Sequence, residues 1–187
     1  MSIEAELKAR VRNPERVRDL LQRHAREEVS TYSDTYFDTA GRELTRDGRE
    51  LRVRAVDSGG VASTVLTYKS PSVDEGSGSK PETETTVADA DALRAILNGL
   101  GFEVLIAFEK HCMNYRFTVA DRPLLATLVQ VPELAGTYLE IESIVTSDAE
   151  IAPALETIRA VFSELGIEHG DETTETYTEA VSAIRSA

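Results

Sequence analysis

The sequence predicts an α+β fold: an eight-stranded antiparallel β-barrel with helices packed on its outside. The first observation behind this is the opening run, where Glu4, Glu6 and Lys8 alternate strictly with Ile3, Ala5, Leu7 and Ala9. A period of two is a strand, with every second residue on one face. The second is recurrence: Arg52 and Arg54 alternate with Leu51, Val53 and Ala55, Glu140 and Glu142 with Leu139 and Ile141, and Glu82 and Glu84 form a further acidic pair. Several strands with one charged and one apolar face suggest a sheet whose polar faces enclose a lumen. The third is a set of helix-periodic segments, each with a single apolar stripe suited to covering the outside of that sheet.

The elements follow in order. The first strand runs from about Ser2 to Arg12. Asn13 and Pro14 then start a helix, Asn as N-cap and Pro in the first turn, with Val17, Leu20, Leu21 and Ala25 as its stripe. Strands are expected near Val29 to Phe37, Glu50 to Asp57 and Val61 to Lys69, the last two joined by a turn at Ser58, Gly59 and Gly60. The stretch Ser70 to Lys80, rich in Gly and Ser, reads as a mobile loop that could serve as a lid. A strand near Pro81 to Val87 leads to a helix capped by Asp89, with Leu93, Ile96, Leu97 and Leu100 on one face and Gly101 at its end. Strands near Phe102 to Val119, Leu124 to Val131 and Thr137 to Val145 precede a helix bearing Leu155, Ile158, Val161, Phe162 and Leu165. A short helix at about Thr174 to Ser186 completes the set of four.

The 187 residues suit one domain with a sizeable core. No apolar run approaches the roughly 20 residues that span a bilayer, and the N-terminus lacks a signal-peptide pattern, so a cytoplasmic location without membrane partners is expected. The formal charge of −13 argues against nucleic acid as a partner, because phosphate backbones are bound by excess Lys and Arg. The single Cys112 supplies neither an internal disulfide nor a thiolate metal site, so any metal falls to oxygen or His ligands. Lysine is scarce: Lys8, Lys69, Lys80 and Lys110 are the four. Each therefore becomes a stronger functional candidate. Oligomeric state is left open, a homodimer included.

Taken together these motifs resemble a CYTH domain of the triphosphate tunnel metalloenzyme superfamily, most closely its class IV adenylyl cyclase branch. Glu4-x-Glu6-x-Lys8 is similar to the hallmark first strand. Asp34 to Thr39, Leu51 to Arg54, Thr67-Tyr68-Lys69, Lys80-Pro81-Glu82-Thr83-Glu84 and Leu139 to Glu142 resemble later strands in the same order. Thr176-Tyr177-Thr178-Glu179 resembles the cyclase-like tail. The resemblance covers nearly the whole of residues 1–187 and implies a barrel that takes a small-molecule triphosphate, ATP or inorganic triphosphate, with Mg²⁺ or Mn²⁺.

Triphosphate chemistry explains the residue types. A site for the metal complex of a triphosphate needs cations for phosphate oxygens and hard carboxylates for the metal. The resemblance assigns phosphate contacts to Lys8, Arg52, Arg54, Lys69, Lys80, Lys110 and Arg116, with Lys8, Lys69 and Lys110 nearest the chemistry. Arginine can grip oxygens in bidentate fashion, whereas lysine is a compact charge. Glu4, Glu6, Glu140 and Glu142 are the expected metal ligands, with Glu82 and Glu84 in a supporting role. Clustered carboxylates repel unless cations intervene.

Two positions depart from the family pattern. Cys112 stands where Lys-x-Arg would place an arginine, and Val129 in Leu128-Val129-Gln130-Val131 stands where an aspartate is common. An arginine at 112 is expected to tighten triphosphate binding and a carboxylate at 129 to raise turnover. Three activities follow from the resemblance: cyclisation of ATP to cyclic AMP and pyrophosphate; hydrolysis of inorganic, nucleoside or thiamine triphosphate; or ligand binding without turnover.

Overall fold

The computed structural model describes residues 2–74 and 76–187. Eight strands close into a ring: β1 (Ser2–Val11), β2 (Glu28–Thr39), β3 (Glu50–Ser58), β4 (Val61–Lys69), β5 (Lys80–Thr86), β6 (Phe102–Val119), β7 (Arg122–Gln130) and β8 (Thr137–Val145). Their spatial order is β1-β5-β4-β3-β2-β6-β7-β8, with every neighbouring pair antiparallel. Closure removes the free edges that an open sheet exposes.

The period-two pattern sorts each strand into an outer and an inner face. Outward residues build the main core: Ile3, Ala5, Leu7 and Ala9 of β1 and Leu139 and Ile141 of β8 pack under α4 (Ile151–Glu164) through Ile151, Leu155, Ile158, Val161 and Phe162. Helix α1 (Pro14–Leu21) adds Val17 and Leu21 to the same cluster, and Asn13 caps it by accepting a hydrogen bond from the Arg16 amide. A smaller core lies under α3 (Ala90–Gly99), where Leu97 meets Phe37 and Val53. Among the described residues no helix is long and apolar enough to cross a membrane.

Two local features add to the expected elements. A further helix, α2 (Glu43–Arg46), is built by Asp38, whose carboxylate accepts from the Thr39, Leu44 and Thr45 amides and the Thr45 hydroxyl. Four residues carry no readable periodicity. The Gly/Ser stretch, with Glu75 outside the described residues, is exposed at Pro71, Ser72, Val73 and Gly76 but packed against the barrel at its Ser77–Ser79 end. Ser77 and Ser79 are buried and hydrogen-bonded to each other at 2.7 Å. The Gly78 amide donates to the Glu6 carbonyl at 3.2 Å, and the Glu6 amide to the Ser79 hydroxyl at 3.3 Å.

The C-terminal helix α5 (Tyr177–Arg185) begins at an N-cap, Thr176, and ends where Arg185 forks onto Glu133 with both bonds at 2.7 Å. Between these anchors Tyr177 and Val181 complete a buried apolar cluster with Tyr36, Phe108, Cys112, Val129, Val131 and Tyr138. These strand residues have the same alternation as the lumen charges. One end of the barrel is therefore plugged from within by apolar side chains and α5.

Candidate functional site

Every side chain to which the resemblance gave a phosphate, metal or supporting role lines one cavity of about 730 Å³: Glu4, Glu6, Lys8, Arg52, Arg54, Lys69, Lys80, Glu82, Glu84, Lys110, Arg116, Glu140 and Glu142. Alternation within strands and register between them produce this convergence. Lys8 faces Glu140 and Glu6 faces Glu142 across the β1–β8 ladder, while Arg52 faces Thr67 and Thr67 faces Glu84 across β3, β4 and β5.

The carboxylates divide. Glu4, Glu6 and Glu142 each place an oxygen within 4.8 Å of the others. Burial works against ionisation of Glu4, but the Lys69 ammonium, a hydrogen bond with Glu142 and the Arg52 charge together outweigh it and hold that carboxyl down at about 2. Burial, then the Glu140 and Glu4 charges, push Glu6 up to about 7. Burial and the Glu4 carboxylate push Glu142 well above the ordinary range. A buried trio of hard donors that resists holding three negative charges fits a divalent cation, which removes the repulsion on binding. Glu140 stands outside the trio and faces Lys8, Lys110 and Tyr177 instead. It was expected as a fourth ligand and lies in the same cavity, apart from the three clustered carboxylates.

The cations are held by a wall of partners. Arg54 makes a bidentate pair with Asp34, at 2.6 and 2.8 Å, and Tyr32 lies under its guanidinium at 4.5 Å. Arg52 donates to the Thr67 hydroxyl at 3.1 Å, which donates in turn to Glu84 at 3.1 Å. The buried Arg52 Nε has no partner among the described residues. A donor left so in a polar cavity suits an incoming oxyanion. Lys69 bridges Glu4 and Glu82, the latter at 3.0 Å, and Lys80 pairs with Glu50. Glu82 thus pairs with Lys69 directly, whereas Glu84 reaches Arg52 only through the Thr67 hydroxyl.

Sequence reasoning missed Asp34, Glu50, Thr67 and the tail Tyr177 as lining or wall residues. For Asp34 the signal was present: it shares parity with Tyr32 and Tyr36, but a lone acid gave no repeating charge pattern. Arg116 is exposed at the open rim beside Leu125 and Ile144, at the far end of the cavity from Cys112. Cys112 is buried, and burial pushes its thiol up to about 12, a poor nucleophile. Val129 is fully buried in the apolar plug.

This fold and site define a triphosphate tunnel barrel. The CYTH domain profile matches residues 2–177, and the chain belongs to the CYTH domain family. It is 25% identical over 179 residues to a Methanocaldococcus jannaschii protein provisionally named an adenylate cyclase, covering 95% of this chain and 97% of that one. A Pyrococcus horikoshii protein of solved structure superimposes with a TM-score of 0.83 at 25% identity, covering 96% of this chain and 98% of that one. A Hippeastrum protein, described as an adenylyl cyclase candidate with a dominant triphosphatase activity, has a TM-score of 0.64 at 20% identity over 98% of this chain and 96% of that one. At that identity the likeness concerns the fold.

Proposed function

We propose that this chain is a single-domain, cytoplasmic, metal-dependent enzyme that converts ATP to cyclic AMP and pyrophosphate inside its barrel. The observation that carries this reading is the pairing, across one cavity, of the Glu4, Glu6 and Glu142 trio with the basic wall of Arg52, Arg54, Lys69 and Lys110. The cavity volume falls within the usual range for organic ligands. Beyond the charges its rim carries Val56, Val65, Leu125 and Ile144, an apolar surface suited to an organic group rather than to phosphate alone.

The roles follow from charge. Glu4, Glu6 and Glu142 would hold Mg²⁺ or Mn²⁺, which when bound neutralises phosphate oxygens. Arg52 and Arg54 bind non-bridging oxygens and fix the chain in line. Lys8, Lys69 and Lys110 offset the charge that grows on the departing pyrophosphate as the ribose 3′ oxygen, giving up its hydroxyl proton to solvent water, bonds to the α-phosphorus and the bond from the α-phosphorus to the bridging oxygen breaks.

A second reading, hydrolysis of a triphosphate to orthophosphate, is supported by the same carboxylate trio and basic wall, which suit any metal-bound triphosphate whether water or a ribose hydroxyl attacks it. The test is incubation of pure protein with ATP and with inorganic triphosphate, each with Mg²⁺ and Mn²⁺, followed by product identification. Cyclic AMP with pyrophosphate supports the first reading. Orthophosphate without cyclic nucleotide supports the second, and tight binding without product would leave a ligand-binding protein.

A further inference from the structure

We propose that Tyr177 is a positioning residue for Lys8 and Lys110, its ring holding both ammonium groups at the phosphate end of the cavity in space that the small Cys112 leaves free. The proposal rests on the triphosphate reading above and adds to it a residue from outside the barrel strands. The centroid of the Tyr177 ring lies 4.7 Å from Lys8 Nζ and 4.0 Å from Lys110 Nζ. Cation–π attraction falls in this range and strengthens when the pair is desolvated. Lys110 is only 5% exposed; its ion pair among the described residues is to Asp34 at a long 3.9 Å, Glu140 adds a favourable charge, and the Tyr177 ring supplies a third favourable surface at 4.0 Å.

The ring is itself held on several sides. Tyr138 meets it edge-on, with centroids 5.3 Å apart and planes at 89°. The Thr173 amide donates to the Lys8 carbonyl at 2.9 Å, and Lys8 Nζ donates to the Glu175 carbonyl. Thr176 caps the helix that Tyr177 begins, and Arg185 fastens its far end to Glu133 and the Ala107 carbonyl. Cys112 belongs to the same buried cluster as Tyr177. A long side chain at 112 would compete with the ring. In this chain the tail's aromatic group, rather than an added cation, organises that end of the site.

The test replaces Tyr177 in the full-length chain with Phe, with phenylalanines of increasing fluorination, and with Leu. Fluorination weakens the ring quadrupole with little change of shape, which a merely space-filling role would not feel. With Mg²⁺ and a non-hydrolysable ATP analogue in calorimetry, Tyr177→Phe is expected to stay within about two-fold of wild type. The fluorinated series should weaken stepwise, to about ten-fold or more for the most fluorinated ring and for Tyr177→Leu. A flat fluorinated series overturns the proposal. A ligand-free readout runs in parallel: the ring current should displace the Lys8 and Lys110 side-chain NMR resonances, and Tyr177→Leu should return both to ordinary positions. Unmoved resonances also overturn it. If wild type binds no triphosphate, the proposed function fails, while the NMR comparison still decides the placement of the lysines.

Discussion

Asp34 and Arg54 form a two-point ion pair on the cavity wall, with the carboxylate side chain fully buried and the guanidinium 17% exposed toward the lumen. Burial disfavours the Asp34 charge, but Arg54, joined by Lys110 and Arg52, outweighs it and keeps the carboxyl well below its usual range. Removing one partner strands a desolvated charge, at a cost of about 3 kcal/mol. Asp34→Ala should therefore lower the urea midpoint. Inorganic triphosphate should restore more stability to this variant than to wild type, because a phosphate oxygen can replace the missing carboxylate. Equal midpoints with and without the substitution would contradict the assigned pair.

Metal affinity and phosphate affinity should separate by residue. Glu142→Gln keeps the shape of a trio member and loses a ligand charge, so Mn²⁺ binding measured by calorimetry should weaken about ten-fold or more. Glu84→Gln should leave Mn²⁺ affinity near wild type and weaken triphosphate binding, since Glu84 reaches Arg52 through Thr67. Loss of metal binding in the Glu84 variant would place that residue among the ligands instead.

The pH dependence of stability follows from Glu6, whose carboxyl sits near 7 when folded against 4.5 as its ordinary value. Between these values the folded state binds more protons than the unfolded one, so metal-free stability is full below about 4.5 and falls as pH rises toward 7. Glu142 is shifted in the same direction. Thermal melts of metal-free protein should give a lower midpoint at pH 7.5 than at pH 5.5. Saturating Mg²⁺ should reverse that slope, because binding requires the deprotonated trio. A metal-free midpoint that rises over this interval would refute the assignment.

Val129→Asp is expected to destabilise the protein without raising product formation, contrary to what the sequence alone suggested. The position is fully buried among Cys112, Tyr138 and Tyr177, so a carboxylate there would be desolvated and unpaired. Chemical denaturation and a product assay on the same preparation check both halves. An undiminished denaturation midpoint with more cyclic AMP would show that residue 129 reaches the reacting atoms.

The barrel was legible because its strands carry the simplest signal a chain can hold, a two-residue period. Glu4-Ala5-Glu6-Leu7-Lys8 states both faces at once, and the convergence of these side chains with Arg52, Arg54 and Glu142 follows from parity and register. What stayed hidden depends on three-dimensional closure. Val129 has lumen parity, yet the position of α5 decides that it meets Tyr177 rather than ligand. Glu140 and Glu142 are two residues apart on one face, but only Glu142 joins the trio. Helix α2 exists because Asp38 gathers its amides, a contact that no periodicity announces.

The ring of strands is not equally strong all the way around. β1 is zipped to β8 along its length from Ile3 to Val11, whereas its ladder with β5 covers only Ser2, Ile3 and Glu4, where Pro81 has no amide to give. Past that point the covering loop takes over the role of a strand through Gly78 and Ser79. The barrel therefore has a seam, and local opening should begin there at a free energy below that of global unfolding. Amides on the β5 side should exchange with solvent before those of the β1–β8 ladder. Because Glu4, Lys69 and Glu82 meet along the seam, metal drawn to its carboxylates would act as a clasp, slowing that exchange from inside the barrel.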